Sequence, residues 1–254
     1  MEIKKITLSF FKTLMIALFI SAIDVFGQST PPAGTPFINI KIEGSGKYNI
    51  GLQSLSAFST AWIENPAGTF TAVSVNTSLV FNNYNFVGDS IKVYGNIDAF
   101  HSFPIDDTYG KLIALNNKKG PNLTELVCPD NNISDIDSLN IDNCSNLKKL
   151  IFANNLLGEY WSVFNMDFPE LEYCDLSRNY FSSGIINFNC PNLIHLNISN
   201  FKNYDPFSFG CDIIGVPKST NLEYLNIGKA TFTSIDSLEF LTKLKCLNVI
   251  GNMS

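Results

Sequence analysis

One eleven-residue pattern, L-x-x-L-x-L-x-x-N-x-L, recurs through the later part of this chain and leaves few folds open to it. It reads LTELVCPDNNI from Leu123, LKKLIFANNLL from Leu147, LEYCDLSRNYF from Leu171, LIHLNISNFKN from Leu193, LEYLNIGKATF from Leu222 and LKCLNVIGNMS from Leu244. A degraded copy, IDAFHSFPIDD, begins at Ile97, and successive starts lie 22 to 29 residues apart. A unit this short cannot bury its apolar side alone, so copies must stack and cover one another. The fourth and sixth positions, such as Leu126 and Cys128, share one side of a short strand and point into a core, while the third, fifth and seventh face outward. The ninth-position Asn residues (Asn131, Asn155, Asn179, Asn252) fall where the chain leaves the strand, and their amides can satisfy backbone groups of neighbouring turns. The prediction for residues 97–254 is one continuous parallel sheet, about seven repeats with one strand each, the first degenerate and the last uncapped.

Two adjacent repeats lose the Asn, to Phe201 and Ala230, and the longest unit lies between them with the insertion Tyr204 to Pro217. Local irregularity is expected there. The segments before each Leu (CSNL, FPEL, CPNL, STNL) read as turns, and only LEFLTKL reads as helical, so the convex side should carry turns and short helical pieces.

Upstream, residues 37–96 alternate β-type runs (FINIKIEG, TFTAVSVNTSLVF, SIKVYGNI) with turn residues. Phe37, Asn39 and Lys41 alternate with Ile38, Ile40 and Ile42, the mark of a half-buried antiparallel strand, and the segment is predicted to be a β-sandwich-like module. The first residues are an address: Lys4, Lys5 and Lys12 precede the apolar run Leu14 to Ala22, too short to span a bilayer, with Val25 and Gly27 as small residues before a cleavage point. Residues 1–27 are therefore predicted to be a signal peptide and 28–36 a mobile linker. The mature chain should be secreted or held at the cell surface, with no transmembrane segment of its own.

The run SIKVYGNIDAF followed by LIALNNKKGPNLTELVCPDNNI resembles the secreted leucine-rich-repeat proteins of the Bacteroidetes type, in which a β-sandwich-like module leads into repeats of the form L-x-x-L-x-C-x-x-N-x-L. The resemblance implies a β-rich leucine-rich-repeat solenoid with an N-terminal β module, and a role in binding. The chain departs from regular members in its lost Asn residues, variable repeat lengths and insertion. Asp89-Ser90-Ile91, Asp137-Ser138-Leu139 and Asp236-Ser237-Leu238 are similar to an O-glycosylation sequon of the same bacteria, a tripeptide that turns also produce.

A net charge of -6 and a pI near 4.9 argue against a nucleic-acid partner. Cys128, Cys144, Cys174 and Cys190 fall at packing positions and are expected to be free buried thiols, leaving Cys211 and Cys246 as the candidates for a bridge or a reactive thiol. No Cys or His pair has metal-ligand spacing, and no phosphate loop or cofactor motif is present, so neither metal nor cofactor is expected. His195, Asp175 and Ser199 superficially suggest a triad. His195 and Ser199, however, are four residues apart on one strand, roughly 13 Å, beyond hydrogen-bond reach. No intrinsic catalysis is predicted. The outward face carries Tyr173, His195 and Tyr224 at third positions and Asp175, Asn197 and Asn226 at fifth positions, beside small seventh-position residues. These six are the predicted ligand-binding residues, presenting apolar ring faces and amide donors to a protein or glycan. The alternatives are a carbohydrate-targeting part of a secreted hydrolytic system, or an inert stalk. The final repeat, from Leu244, is uncapped, so the chain is expected either to be a truncated version of a longer repeat protein, favoured because no charged or Pro gatekeeper protects the edge, or to self-associate through its C-terminal edge.

Overall fold

The computed structural model describes residues 30–57, 59–120, 123–134, 144–158, 163–181, 183–202, 210–230, 232–235 and 238–252. The predicted signal peptide, the first residues of the linker, the first part of the insertion and two of the three Asp-Ser sites lie outside them.

The first six strands are β1 (Phe37–Ile42), β2 (Gly46–Gln53), β3 (Ser59–Glu64), β4 (Phe70–Val75), β5 (Val80–Phe86) and β6 (Ser90–Tyr94), followed by β7 (Ala99–Ser102) and β8 (Leu112–Lys119). The alternation in FINIKI works as read: Ile38, Ile40 and Ile42 are buried and antiparallel pairing runs from β1 to β6 and β8. These strands divide between two sheets. An antiparallel set runs in the order β4-β3-β6-β1-β8, while β2 and β5 pair with β7 and so join the sheet built by the repeats.

The repeats then place a three-residue strand on each template: β9 (Glu125–Val127), β10 (Lys149–Ile151), β12 (Tyr173–Asp175), β14 (His195–Asn197), β16 (Tyr224–Asn226) and β18 (Cys246–Asn248). Between them run β11 (Val163–Met166), β13 (Ser183–Phe188), β15 (Gly210–Ile214) and β17 (Phe232–Ile235). From β7 to β18 the first set is parallel throughout, seven strands as the periodicity requires, and β2 and β5 extend it antiparallel to nine. The degenerate copy is a full member: Ala99, Phe100 and His101 pair with Glu125, Leu126 and Val127.

The side predicted to be turns and short helices is instead a second parallel sheet, ordered β11-β13-β15-β17, with two short 3-10 turns among the described residues at Val216–Lys218 and Leu238–Phe240. The result is a helix-poor β-solenoid. Leu150, Cys174 and Leu196 from the long sheet meet Met166, Ile186 and Phe188 from the short one in a single hydrophobic cluster that continues into Ile38, Ile50 and Ile91. Among the described residues no helix is long and apolar enough to cross a membrane.

Two devices hold the turns in register. The first is the Asn ladder. Asn155 accepts the Ile133 N–H at 2.9 Å and donates to the Cys128 carbonyl at 2.8 Å, while Asn179 accepts from Leu157 at 3.0 Å and donates to Phe152 at 2.8 Å. The second was invisible in the sequence. The eighth position is left-handed in each of the last six repeats: Asp130, Asn154, Arg178, Asn200 and Lys229 have φ between 54° and 58°, and Gly251 has φ 79°. That twist aims the N–H along the solenoid axis, so Asp130, Asn154, Arg178, Asn200 and Lys229 each donate to the seventh-position carbonyl of the next turn at 2.8–2.9 Å. Sixth-position N–H groups do the same to fifth-position carbonyls, as from Ile198 to Asn226 at 2.9 Å.

This backbone ladder explains why the expected irregularity at Phe201 and Ala230 does not reach the long sheet, where β14 and β16 stay in register. Phe201 is buried against Phe181, ring centroids 5.0 Å apart, where the amide would otherwise sit. The one register shift in this region falls in the short sheet, between Cys211 and Ile213.

Candidate functional site

The outward face of the long sheet sorts side chains into rows because parallel, in-register strands put equal template positions side by side. The third-position row runs Ala99, Glu125, Lys149, Tyr173, His195, Tyr224, Cys246; the fifth-position row runs His101, Val127, Ile151, Asp175, Asn197, Asn226, Asn248. All six predicted ligand-binding residues lie on this face at three consecutive rungs, and all are half-buried.

Their geometry changes what they offer. The Tyr173 and His195 rings stack with centroids 4.2 Å apart and planes 9° from parallel; His195 and Tyr224 stack at 4.1 Å and 4°. The inner ring faces are therefore spent on one another. What the column presents to solvent is its edge, with the two phenol hydroxyls and the imidazole nitrogens, none of which has a hydrogen-bond partner among the described residues. Burial pushes the His195 pKa down, opposed by the Asp175 carboxylate, and raises that of Tyr173, with Asp175 adding to the rise.

The fifth-position row is partly committed to the fold. Asp175 Oδ1 accepts from the N–H and hydroxyl of Ser177 at 2.9 and 2.6 Å, and its Oδ2 accepts from Asn197 Nδ2 at 3.0 Å. Asn197 Oδ1 takes the Ser199 hydroxyl at 2.8 Å, and Asn226 Oδ1 and Asn248 Oδ1 accept the N–H of Gly228 and Ile250 at 3.2 and 3.1 Å. Each is a side chain closing a turn onto its own backbone two residues on. Ser177 and Ser199, small seventh-position residues, are buried with their hydroxyls turned back on the fifth row. Ser199 gives its proton to Asn197, not to His195. Among the described residues, the amide nitrogens of Asn226 and Asn248 have no partner.

A second cluster on the same face escaped the sequence reading. His101 is buried with Nε2 3.1 Å from Glu125 Oε2, Lys149 Nζ is 3.7 Å from the same oxygen, and the Phe81 ring stands edge-on to His101 at 6.1 Å. Desolvation lowers the His101 pKa, and Glu125 opposes it. The degenerate repeat held the signal, since aligning Ile97 with Leu123 sets His101 one column from Glu125. Nothing local pointed to Phe81, which arrives through the antiparallel pair of Gly51 with Phe81.

The buried cysteines are free thiols. Burial raises the pKa of Cys128, Cys144 and Cys174, and pushes Cys190 up to about 11. Cys246 is free and exposed; the side chain of Cys211 lies outside the described residues. Among the described residues, no group of three or more His, Cys, Asp or Glu side chains is placed to hold a metal ion. No protein-family model matches this chain, and no curated protein does.

Proposed function

We propose that this is an exported binding protein of the leucine-rich-repeat type, secreted or displayed at the cell surface, that engages a protein or glycan through the outward face of its long parallel sheet. In this reading residues 37–96 serve as a β-sandwich-like N-terminal module, and the solenoid is the recognition surface. No step of catalysis is assigned to it, and no cofactor.

The observation that carries the reading is the Tyr173, His195, Tyr224 column. Stacked rings at 4.1–4.2 Å form a ridge whose polar edge atoms have no hydrogen-bond partner among the described residues, and amphipathic aromatic side chains lose little entropy when a partner docks. The test is an array of glycans and peptides probed with the chain from Gln28 onward. Capture by the parent protein that falls at least tenfold in the Tyr173→Ala/Tyr224→Ala double variant, assayed well below its melting temperature because loss of two stacked pairs should cost about 1–3 kcal/mol of stability, supports the assignment. Capture untouched by the double variant places recognition elsewhere.

A further inference from the structure

The column stops at Tyr224, and the next rung is vacant. Tyr224 pairs in register with Cys246, a small exposed side chain, and among the described residues Tyr224 makes ring contact with His195 alone. The ring face that looks toward β18 is thus uncovered, above a short thiol. At these same two rungs the neighbouring row supplies the amide nitrogens of Asn226 and Asn248, without a partner among the described residues. Gly228 has no side chain, and the Asn248 amide lies over it: a Cβ built on Gly228 would sit 3.1 and 3.2 Å from its oxygen and nitrogen. In the turn that follows β18, Ile250 stands 74% exposed.

We propose that this end of the face receives an aromatic side chain of a partner polypeptide, which stacks on Tyr224 as the next ring of the column above Cys246. The inference rests on the reading of this face as a binding surface and names its partner. Spacing decides for a polypeptide. Along β18, Cys246 and Asn248 are two residues apart, about 6.6 Å. An extended peptide lying beside the strand has the same period on one face. Its aromatic ring fills the slot over Cys246, and a main-chain carbonyl accepts from Asn248 or Asn226. The flat, near-parallel stacking already present favours a planar ring over a puckered one.

Cys246 allows the slot to be measured directly. In a Cys211→Ser background the folded protein is equilibrated with the symmetrical disulfide of 2-phenylethanethiol or of 2-cyclohexylethanethiol, together with the free thiol. The Cys246 thiolate attacks, its bond to one sulfur forms as the reagent's S–S bond breaks, and the released thiolate takes up the proton. Intact mass gives the equilibrium fraction of mixed disulfide. The phenyl adduct is expected to be favoured over the cyclohexyl adduct by about fivefold, within the range of one aromatic pair, and the preference should vanish in Tyr224→Ala. Equal exchange, or a preference that survives Tyr224→Ala, overturns the proposal. The array separates the two levels. Peptides with an aromatic residue captured in preference to their leucine counterparts support both; glycans alone overturn the partner while leaving the binding face standing; no capture of any probe removes the face and the partner with it.

Discussion

Replacing Asn155 by Ala tests the ladder where it is most deeply set. Asn155 is fully buried, and its amide bonds the Ile133 N–H at 2.9 Å and the Cys128, Phe152 and Ala153 carbonyls at 2.8, 3.1 and 3.3 Å. Two of these acceptors keep other donors: Phe152 O is bonded by Asn179 Nδ2 and Ala153 O by the Asp130 N–H. The groups put at risk are the Ile133 N–H and the Cys128 carbonyl. A buried group stripped of its partner costs about 1–3 kcal/mol, so the substitution should cost about 2–6 kcal/mol. Asn252, only partly buried, bonds the Ala230 N–H and the Ile227 carbonyl, and Asn252→Ala should cost about 1 kcal/mol because water can reach the freed groups. Urea unfolding gives the totals, and amide exchange at Ile133 gives the local effect. A loss below about 1 kcal/mol at Asn155, or equal losses at Asn155 and Asn252, would refute the view that the amides carry buried backbone groups.

The left-handed eighth position predicts that Lys229→Gly or Arg178→Gly stabilises by about 0.5–1 kcal/mol, the relief of about 1–2 kcal/mol of backbone strain less the entropy of glycine, while Asn154→Gly is closer to neutral; thermal melts rank the three. Cys246→Tyr should lengthen the ring column, adding about 0.5–1.5 kcal/mol to unfolding, and should abolish capture of aromatic peptides because the slot is filled from within. His101 is held below its ordinary pKa by burial, so the unfolded chain binds the proton more tightly: the stability it contributes is present above the unfolded value near 6.5 and is lost as pH falls through the lower folded value. The drop in urea midpoint between pH 7.5 and 5 should therefore be smaller in His101→Gln, and an unchanged drop would count against a buried neutral imidazole. In a thiol titration of the folded Cys211→Ser protein at pH 8, Cys246 should react at once, while Cys128, Cys144, Cys174 and Cys190 wait for unfolding, being buried with raised pKa values.

Much of the long sheet was legible because its rule is a spacing. A Leu at positions one and four and an Asn at nine fix strand, core side and exit turn together, and even Ala99, Phe100 and His101 obeyed it with almost no matching letters. The short sheet was not legible: its strands, such as Ser183–Phe188, lie where repeat lengths differ, so no fixed offset marks them. Nor was the left-handed position, because Arg178 and Lys229 are not residues that favour φ above zero, and tertiary pairing imposes it on them. Of the candidate site, the identities in each row followed from parity. That the rings would face one another, and that Asp175 and Asn197 would be occupied by their own turns, depended on rotamers that the sequence does not encode locally.

Because the axial hydrogen bonds come from positions six and eight of each turn, distance along the long sheet is set by backbone alone and is indifferent to how many residues each turn contains. The chain between β14 and β16 is the longest of the series, yet His195, Leu196 and Asn197 meet Tyr224, Leu225 and Asn226 without a slip, and the shift is taken up by β15 and β17. The two sheets thus have different tolerances. One behaves as a ruler on which side chains can be exchanged at constant pitch, and the other absorbs insertions. A new recognition surface could be written onto such a scaffold by substitution on the first sheet, and new loops grafted into the second, with neither change disturbing the other.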